Sequence, residues 1–479
     1  MINYKELKFK AGLEIHQQLD TKKLFCNCDS VLRKDEPEYT VKRKLHAVAG
    51  EGGEIDISVK HQMQKDKEFI YQGYDSTCLI ELDEEPPHQI NLEALKIAMQ
   101  IALLMNMKIV PITQIMRKTV IDGSNTSGFQ RTVMIARDGY IETEKGKVGI
   151  YGLFLEEDSA RNISREENVE VYRLDRLGIP LVEVVTSPDI KDSKHAKEVA
   201  LKIGDILRSC KVRRGIGTIR QDVNVSIRGE NRVEIKGMQD MDIFVETIDN
   251  EIIRQMELSD NKTPTNMEVR NAMPDKTTKY LRPLPGSARM YPETDLELLK
   301  ISRDMINDVK KNLPKLKSEI EEDLKKQGLT QDMIKMLFKS DRFNDYKDLL
   351  YIIDKPQLIA KILLILPKEI ATKNNISLLE INEIFNQDIL SEILIALHKK
   401  KIEEGDIKDV MDKIAKGINI NEALNIEKED SSVIEEKVMK IINEKPGLNP
   451  NAYMGLIMKE FNGKISGKDA MILIQRFTK

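Results

Sequence analysis

The sequence predicts an α+β protein: a large cradle domain of antiparallel strands with helices, then an all-helical domain and a small all-helical tail domain. Three observations predict it. Up to about residue 295, short β-like runs alternate with turn signals and with two helical stretches. After "MYPETDLELLK" the strand signals stop. From there to the end, amphipathic patterns with short polar joints follow one another, without an internal repeat or a low-complexity tail. The boundaries expected are 1–297, 298–404 and 405–479. A chain of 479 residues exceeds one ordinary core, in keeping with about three domains.

The first strand lies in "KFKAGLEIHQQLDTKKLFCNCDS". With a period of two, Phe9, Ala11, Leu13 and Ile15 share one face, while Lys10, Gly12, Glu14, His16 and Gln18 share the other. Alone, this reads either as an edge strand with a solvated outer face or as a strand that presents chemistry. "NLEALKIAMQIALLMNM" and "SKHAKEVALKIGDILRSC" carry apolar residues at spacings of three and four and predict helices. In "RTVMIARDGYIETEKGKVGIYGLFLEED", Asp138-Gly139 and Lys145-Gly146 predict hairpin turns. "IPLVEVV", "TIRQDVNVSI" and "RVEIKG" follow as consecutive antiparallel strands. The helical domain runs from "RDMINDVKKNLPKLKSEIEEDLKKQG" to about "SEILIALHKKKIEEG". The tail breaks at "NEKPGLNPN" before "AYMGLIMKEFNGKISGKDAMILIQRF".

Lys plus Arg number 75 and Asp plus Glu 79, a net charge of −4. No overall positive field draws in phosphate, so a nucleic-acid partner would have to meet local basic patches. Cys26, Cys28, Cys78 and Cys210 are too scattered for a disulfide framework, which points to a reducing compartment, the cytoplasm. Cys26-x-Cys28 resembles half of a zinc site, but no second pair follows and the spacing is tight, so it reads as structural. No run of about 18 apolar residues and no secretory leader pattern occurs.

The acidic residues on strands carry the chemistry. Glu183 within "IPLVEVV" needs a cation, a metal or a raised pKa. "LFLEEDSAR" ends an apolar run with Glu156, Glu157 and Asp158, either a solvated strand end or a ligand group. With Glu14 and His16, such residues suggest a divalent-ion site; carboxylates suit Mg²⁺ or Mn²⁺, and His16 suits Mn²⁺ better or serves from behind the ligands. A site of this kind points to phosphoryl transfer. Neither a Walker A loop nor a kinase Gly-rich loop is present. The best phosphate candidate is "MRKTVIDGSNTSGFQRT", where Arg117, Lys118 and Arg131 flank a loop from Gly123 to Gly128 that includes Ser124. Arg220, Asp222, Asn224 and Ser226 share one strand face, and Glu234 and Lys236 share another, so adjacent strands would form a polar wall. "RPLPGSARMYPETDL" adds Arg282, Arg289, Glu293 and Asp295 in a joint or a rigid loop. No nucleophile elbow or catalytic cysteine context occurs.

"GLEIHQQLDTKKLFC", "MRKTVIDGSNTSGFQRT", "LEEDSAR", "RLGIPLVEVVTSPDI" and "RPLPGSARMYPETD" occur in that order. Together they resemble the B/E family of tRNA-dependent amidotransferase subunits, over nearly the whole chain. "CLIELDEEPPHQIN" and "TVIDGSNTSGFQRT" are closer to its E type. The resemblance implies ATP-dependent phosphorylation of Glu on misacylated Glu-tRNA(Gln), then amidation to Gln-tRNA(Gln). Ammonia would arrive through a channel from an asparaginase-like amidase, the D-type chain, in a heterotetramer of two D and two E chains. It further implies Mg²⁺ at His16, Glu157 and Glu183. Glu14, Lys118 and Glu157 would be catalytic, and Arg117, Lys118, Ser124, Arg131, Arg220 and Lys236 would bind ATP. The tail domain would meet the outer corner of the tRNA. One departure stands out: only "LSDNKTPTN" separates "NEIIRQME" from "MEVRNAMPD", where E-type chains carry an inserted domain related to one of aspartyl-tRNA synthetases. Its absence leaves open a B-type role in a heterotrimer with Asp-tRNA(Asn) as substrate. A scaffold that binds tRNA without catalysis is a third reading, against which the retained carboxylates speak.

Overall fold

The computed structural model describes residues 2–49, 52–263, 265–286, 289–340, 342–425, 431–461 and 467–478. The chain divides into two compact units, Met1–Lys317 and Ser318–Lys479.

The first unit begins with β1 (Lys10–Gln18), β2 (Tyr39–Arg43), α1 (Ile57–Met63), β3 (Glu68–Gly73) and α2 (Leu92–Leu104). Next come β4 (Lys108–Ile109), β5 (Ile112–Thr113), β6 (Met116–Thr119), β7 (Phe129–Thr143), β8 (Gly146–Glu157), β9 (Arg161–Arg165), β10 (Val169–Arg173) and β11 (Pro180–Thr186). After α3 (Ser193–Ser209) follow β12 (Ile219–Ser226), β13 (Val233–Lys236), α4 (Phe244–Asp260), β14 (Glu268–Ala272), β15 (Thr278–Pro283), β16 (Met290–Pro292), β17 (Leu299–Lys300) and α5 (Arg303–Lys311). The main sheet has the order β15-β14-β13-β12-β1-β11-β8-β7-β6-β16, with β4 beside β7. A second sheet has the order β2-β3-β10-β9.

β1 is therefore a central strand rather than an edge. It inserts between β11 and β12, antiparallel to both, so the runs expected to pair consecutively are separated by the chain's own beginning. The reason is burial: Ala11, Leu13 and Ile15 need an apolar cover on one face, and Val182 and Val184 of β11 and Val223 and Val225 of β12 extend that face on either side. Helices α2 and α3 contribute to the same core through Leu95, Met99, Val199 and Ile203. Both helices lie in the stretches where the sequence predicts them. Asn91 caps α2 by accepting from the Glu93 and Ala94 amides, and Asp192 caps α3 by accepting from the His195 amide.

Only one of the two expected hairpin turns is a turn. β7 and β8 meet through Glu144-Lys145, with Thr143 opposite Gly146, whereas Asp138-Gly139 lies inside β7. Asp138 takes a positive φ of 54°, and Gly139 is where the segment after α2 crosses: a Cβ there would sit 2.6 Å from the Met105 carbonyl oxygen. The glycine thus serves a close approach rather than a reversal. Not all pairs are antiparallel either: β13 pairs β14 and β10 pairs β3 in parallel. Residues 261–267 alone join α4 to β14, so no domain is inserted there.

The second unit is helical throughout its described residues. Its first core draws on residues from Leu324 to Ala423, including Leu337, Ile359, Ile393 and Met411; its second gathers Val438, Ile442, Tyr453, Ile457, Phe461, Ala470 and Ile474. Two expected boundaries move. The edge at 297/298 falls inside the first unit, because Ile301 and Val309 pack in the sheet's core. The edge at 404/405 falls inside the first helical core, because Ile407, Val410, Met411 and Ile414 pack there. Residues 462–466 of the tail motif lie outside the described residues.

Candidate metal centre and polar band

Strand alternation puts Ala11, Leu13 and Ile15 into the core and leaves Glu14, His16 and Gln18 on the opposite face of the sheet. Register then chooses their neighbours. His16 lies opposite Glu183 on β11 and opposite Arg220 on β12, while Glu14 lies opposite Asp222. His16 Nε2 is 3.7 Å from Glu14 Oε1 and 3.9 Å from Glu183 Oε1. One donor atom from each of the three lies within 4.8 Å of the others, the spacing at which two carboxylates and an imidazole can close on one ion. Their side chains remain 26% (Glu14), 16% (His16) and 11% (Glu183) exposed, so an ion can reach them.

The band continues sideways in both directions. On β8, Glu156 accepts from Lys118 Nζ of β6 at 2.6 Å and from Gln130 Nε2 of β7 at 3.2 Å, and Lys118 Nζ also lies 3.9 Å from Glu183 Oε2. On the other side, Lys236 of β13 pairs with Asp222 at 2.6 Å and with Glu234 at 2.7 Å. From β6 to β13 this polar wall crosses six strand spacings, roughly 28 Å. A lysine stands at each end and the carboxylates with His16 stand between them.

Electrostatics sorts the protonation states. Burial, then the charge of Glu156, pushes the Glu183 carboxyl well above the ordinary carboxylate range, and the two carboxyls share a hydrogen bond. Burial also opposes the charge on Glu156, but Lys118 outweighs it and holds that carboxyl down at about 2. The pair thus keeps one proton on the Glu183 side. Burial lowers the His16 imidazole against the pull of Glu14, so it stays neutral with a nitrogen lone pair to offer. For Lys118 and Lys236, burial works against the charge, and the neighbouring carboxylates win.

Several expected residues are elsewhere. Glu157, expected to bind metal, points one residue out of phase with Glu156, toward the core side. There it meets Arg131 Nη1 at 3.4 Å, and Arg131 Nε donates to Glu293 at 2.7 Å. Arg117 also pairs with Glu293, and both guanidiniums lie over the Phe129 ring. Arg117 and Arg131, expected to bind ATP, are thus engaged on the reverse face. Ser124 bonds Asp122 through its amide and hydroxyl, and its loop is tied to the second sheet by Tyr71, whose hydroxyl donates to the Gly123 carbonyl. It does not join the band. Arg220, by contrast, does lie on the band, opposite His16 on β12, and donates to Asp158 at 2.6 Å. The sequence reading named Glu156 beside Glu157 but gave the metal and catalytic roles to Glu157. The signal was there in the alternation of "GLFLEE", where Leu153 and Leu155 face the core and so carry Glu157 with them, but Phe154 masks the period.

A second cluster was also underread. Cys26 and Cys28 are joined by Cys78 and Glu81, again with one donor atom each within 4.8 Å of the others. Three thiols and a carboxylate suit a soft divalent ion such as zinc. Lys23, fully buried, pairs with Glu81 and also donates to the Leu174 carbonyl at 3.3 Å. Cys78 and Glu81, rather than a second Cys pair, complete this group of four donor atoms.

A carboxylate–imidazole cluster on one face of a large, mostly antiparallel sheet, flanked by lysines, is a donor set of the kind that divalent ions accept. Residues 9–307 match the family described as the GatB/GatE catalytic domain, and the chain belongs to this GatB/GatE family. It is 36% identical to the E-type glutamyl-tRNA(Gln) amidotransferase subunit of Methanocaldococcus jannaschii over 624 aligned positions, covering 98% of each chain. It is 35% identical to the protein of the same name from Methanothermobacter thermautotrophicus, over 73% of this chain and 78% of that one. In one strain of Methanococcus maripaludis the identity is 50% over 57% of this chain and 44% of the relative. The 624 positions exceed the 479 residues here, so the Methanocaldococcus jannaschii relative carries a stretch that this chain lacks. No helix among the described residues is long and apolar enough to cross a membrane.

Proposed function

We propose that this chain is the E-type component of a glutamyl-tRNA(Gln) amidotransferase, a ligase that converts Glu on tRNA(Gln) to Gln with ATP and ammonia in the cytoplasm. The observation that carries the reading is the convergence of Glu14, His16 and Glu183 on adjacent strands, with Lys118 and Lys236 on either side. A carboxylate is a poor electrophile, so its oxygen must first become a leaving group. In the first step an oxygen of the Glu side chain attacks the γ-phosphorus of ATP and ADP leaves. In the second, ammonia attacks the carbonyl carbon, phosphate leaves with its oxygen, and a proton is lost.

Glu14, His16 and Glu183 are the residues that would hold Mg²⁺, whose charge offsets the charge that develops on the phosphoryl oxygens. Lys118 and Lys236 would hold phosphate oxygens at the two ends of the band. Lys118 is tied to Glu156 at 2.6 Å, which keeps a buried ammonium paired. The ammonia source we assign to a separate asparaginase-like amidase, the D-type chain, in an assembly of two D and two E chains. Two features of the sequence support a separate source: it holds no nucleophile elbow and no cysteine in a catalytic context.

The test is end-product analysis of labelled Glu-tRNA(Gln) incubated with this chain, Mg²⁺, ATP and free ammonium. Gln-tRNA(Gln) should form without a partner. No product, with an asparaginase-like amidase present as well, would overturn the reading, and product from Asp-tRNA(Asn) instead would favour the B-type role.

A further inference from the structure

Ile216 is the most exposed large apolar residue described, with its whole side chain in water (108%). It sits at the tip of the loop that joins α3 to β12, between Gly215 and Gly217, which both take positive φ, 116° and 85°. Nothing lies within 4 Å of where a Cβ would be on either glycine, so these residues serve the shape of the tip and not its packing. The neck below is rigid. The buried Gln17 side chain donates to the Gln18, Arg213 and Thr218 carbonyls at 3.0, 2.9 and 3.1 Å, and the Arg213 amide donates to the Gln18 carbonyl. A clamped neck with a solvated apolar tip is unlike an ordinary surface loop, whose tip is small and polar.

Its position is informative. Gln17 follows His16 on β1, and Arg220, opposite His16, lies four residues after Ile216, at most about 14 Å along the chain. The tip therefore stands beside the band at the end of β1. Beside it stands Arg213, whose guanidinium donates to the neutral Ser30 carbonyl at 2.5 Å, while Lys211, further down the neck, is paired with Glu93 at 2.6 Å.

We propose that this tip seats the single-stranded 3′ end of the aminoacyl-tRNA, with Ile216 stacked against a base and Arg213 meeting an adjoining phosphate. The inference rests on the reading that an aminoacyl-tRNA is the substrate. Such a substrate places unpaired nucleotides next to the reacting amino acid, and unpaired bases are held by apolar faces and their backbone by cations. Isoleucine is among the side chains used as wedges against bases. A guanidinium held by a neutral carbonyl beside the apolar tip favours RNA over an apolar protein partner.

The experiment compares wild type, Ile216→Ser and Ile216→Leu in full-length chains, each with saturating ATP and Mg²⁺ and with varied Glu-tRNA(Gln), first with free ammonium. Ile216→Ser should raise KM about tenfold and leave kcat within about twofold, while Ile216→Leu restores KM. Equal KM in wild type and Ile216→Ser overturns the proposal while leaving the enzymatic reading intact. If wild type itself makes no Gln-tRNA(Gln), it is the enzymatic reading that has failed. A defect seen only when the amidase supplies ammonia, and not with free ammonium, overturns it in favour of a contact with the partner protein.

Discussion

Glu156 and Glu157 are neighbours in sequence and opposites in role. Glu156 bonds Lys118 on the polar band; Glu157 bonds Arg131 on the reverse face. Glu156→Gln should therefore cut turnover roughly 100-fold or more, because it frees Lys118 from its partner and removes the charge that keeps the proton on Glu183. Glu157→Gln should instead cost about 1–3 kcal/mol of stability through Arg131 and leave metal affinity unchanged. Steady-state kinetics, thermal melts and Mn²⁺ titration on the two variants separate these outcomes, and equal loss of metal binding in both would contradict the assignment. Glu183 supplies a pH dependence. Its carboxyl is held above the ordinary range, and an ion must displace its proton, so affinity for Mn²⁺ should rise with pH above the ordinary carboxylate range. Titration at several pH values checks this. Affinity that does not change with pH, in wild type and in Glu183→Gln alike, would remove Glu183 from the ligand set.

Among the elements, β1 shows what periodicity carries and what it does not. The alternation in "KFKAGLEIHQQL" correctly assigns each side chain to a face. It cannot give the neighbours, because β11 and β12 come from far along the chain and register is set by their combined apolar face. The same holds for the cysteines: Cys26-x-Cys28 is visible, but Cys78 and Glu81 join only through the fold. The Leu-Phe-Leu run of β8 hides its own period, and Asp138-Gly139 carries a turn signal although the glycine serves a close approach. In the helical unit, the helix from Ile407 to Ala415 presents Asp412 to Lys416 at 2.8 Å, Asn374 at 2.8 Å and Lys373 at 3.0 Å. Burial opposes its charge, but these hydrogen bonds outweigh it and hold the carboxyl well below its usual value. A depressed pKa stabilises the fold above the unfolded value and ceases to do so as pH falls through the folded one. Asp412→Ala should thus cost about 1–2 kcal/mol at neutral pH, the lysines being half exposed, and the difference from wild type should shrink steadily as pH falls below about 4. Denaturant melts across that acid range test it; a difference that stays constant as the pH falls would contradict it.

Across the whole molecule, the change from strands to helices was legible because it is a change of period over long stretches, and the order of the domains followed from it. The boundaries were not, because the helices at Arg303–Lys311 and Ile407–Ala415 look like their successors in sequence and belong by packing to the preceding cores. Since residues 318–479 carry cores of their own, that fragment alone should be helical by circular dichroism and melt cooperatively; a non-cooperative melt would contradict this. Lys118, Glu183, His16 and Lys236 come together only when the strands of the first unit close into one sheet, so the proposed reaction belongs to that unit. The measurement to make first is single-turnover conversion of labelled Glu-tRNA(Gln) by His16→Ala beside wild type, with ATP, Mg²⁺ and ammonium, together with filter binding of the tRNA. Loss of Gln-tRNA(Gln) with tRNA binding retained is the expected result. Product formed at the wild-type rate would show that the polar face of β1 is not where the phosphoryl group is transferred.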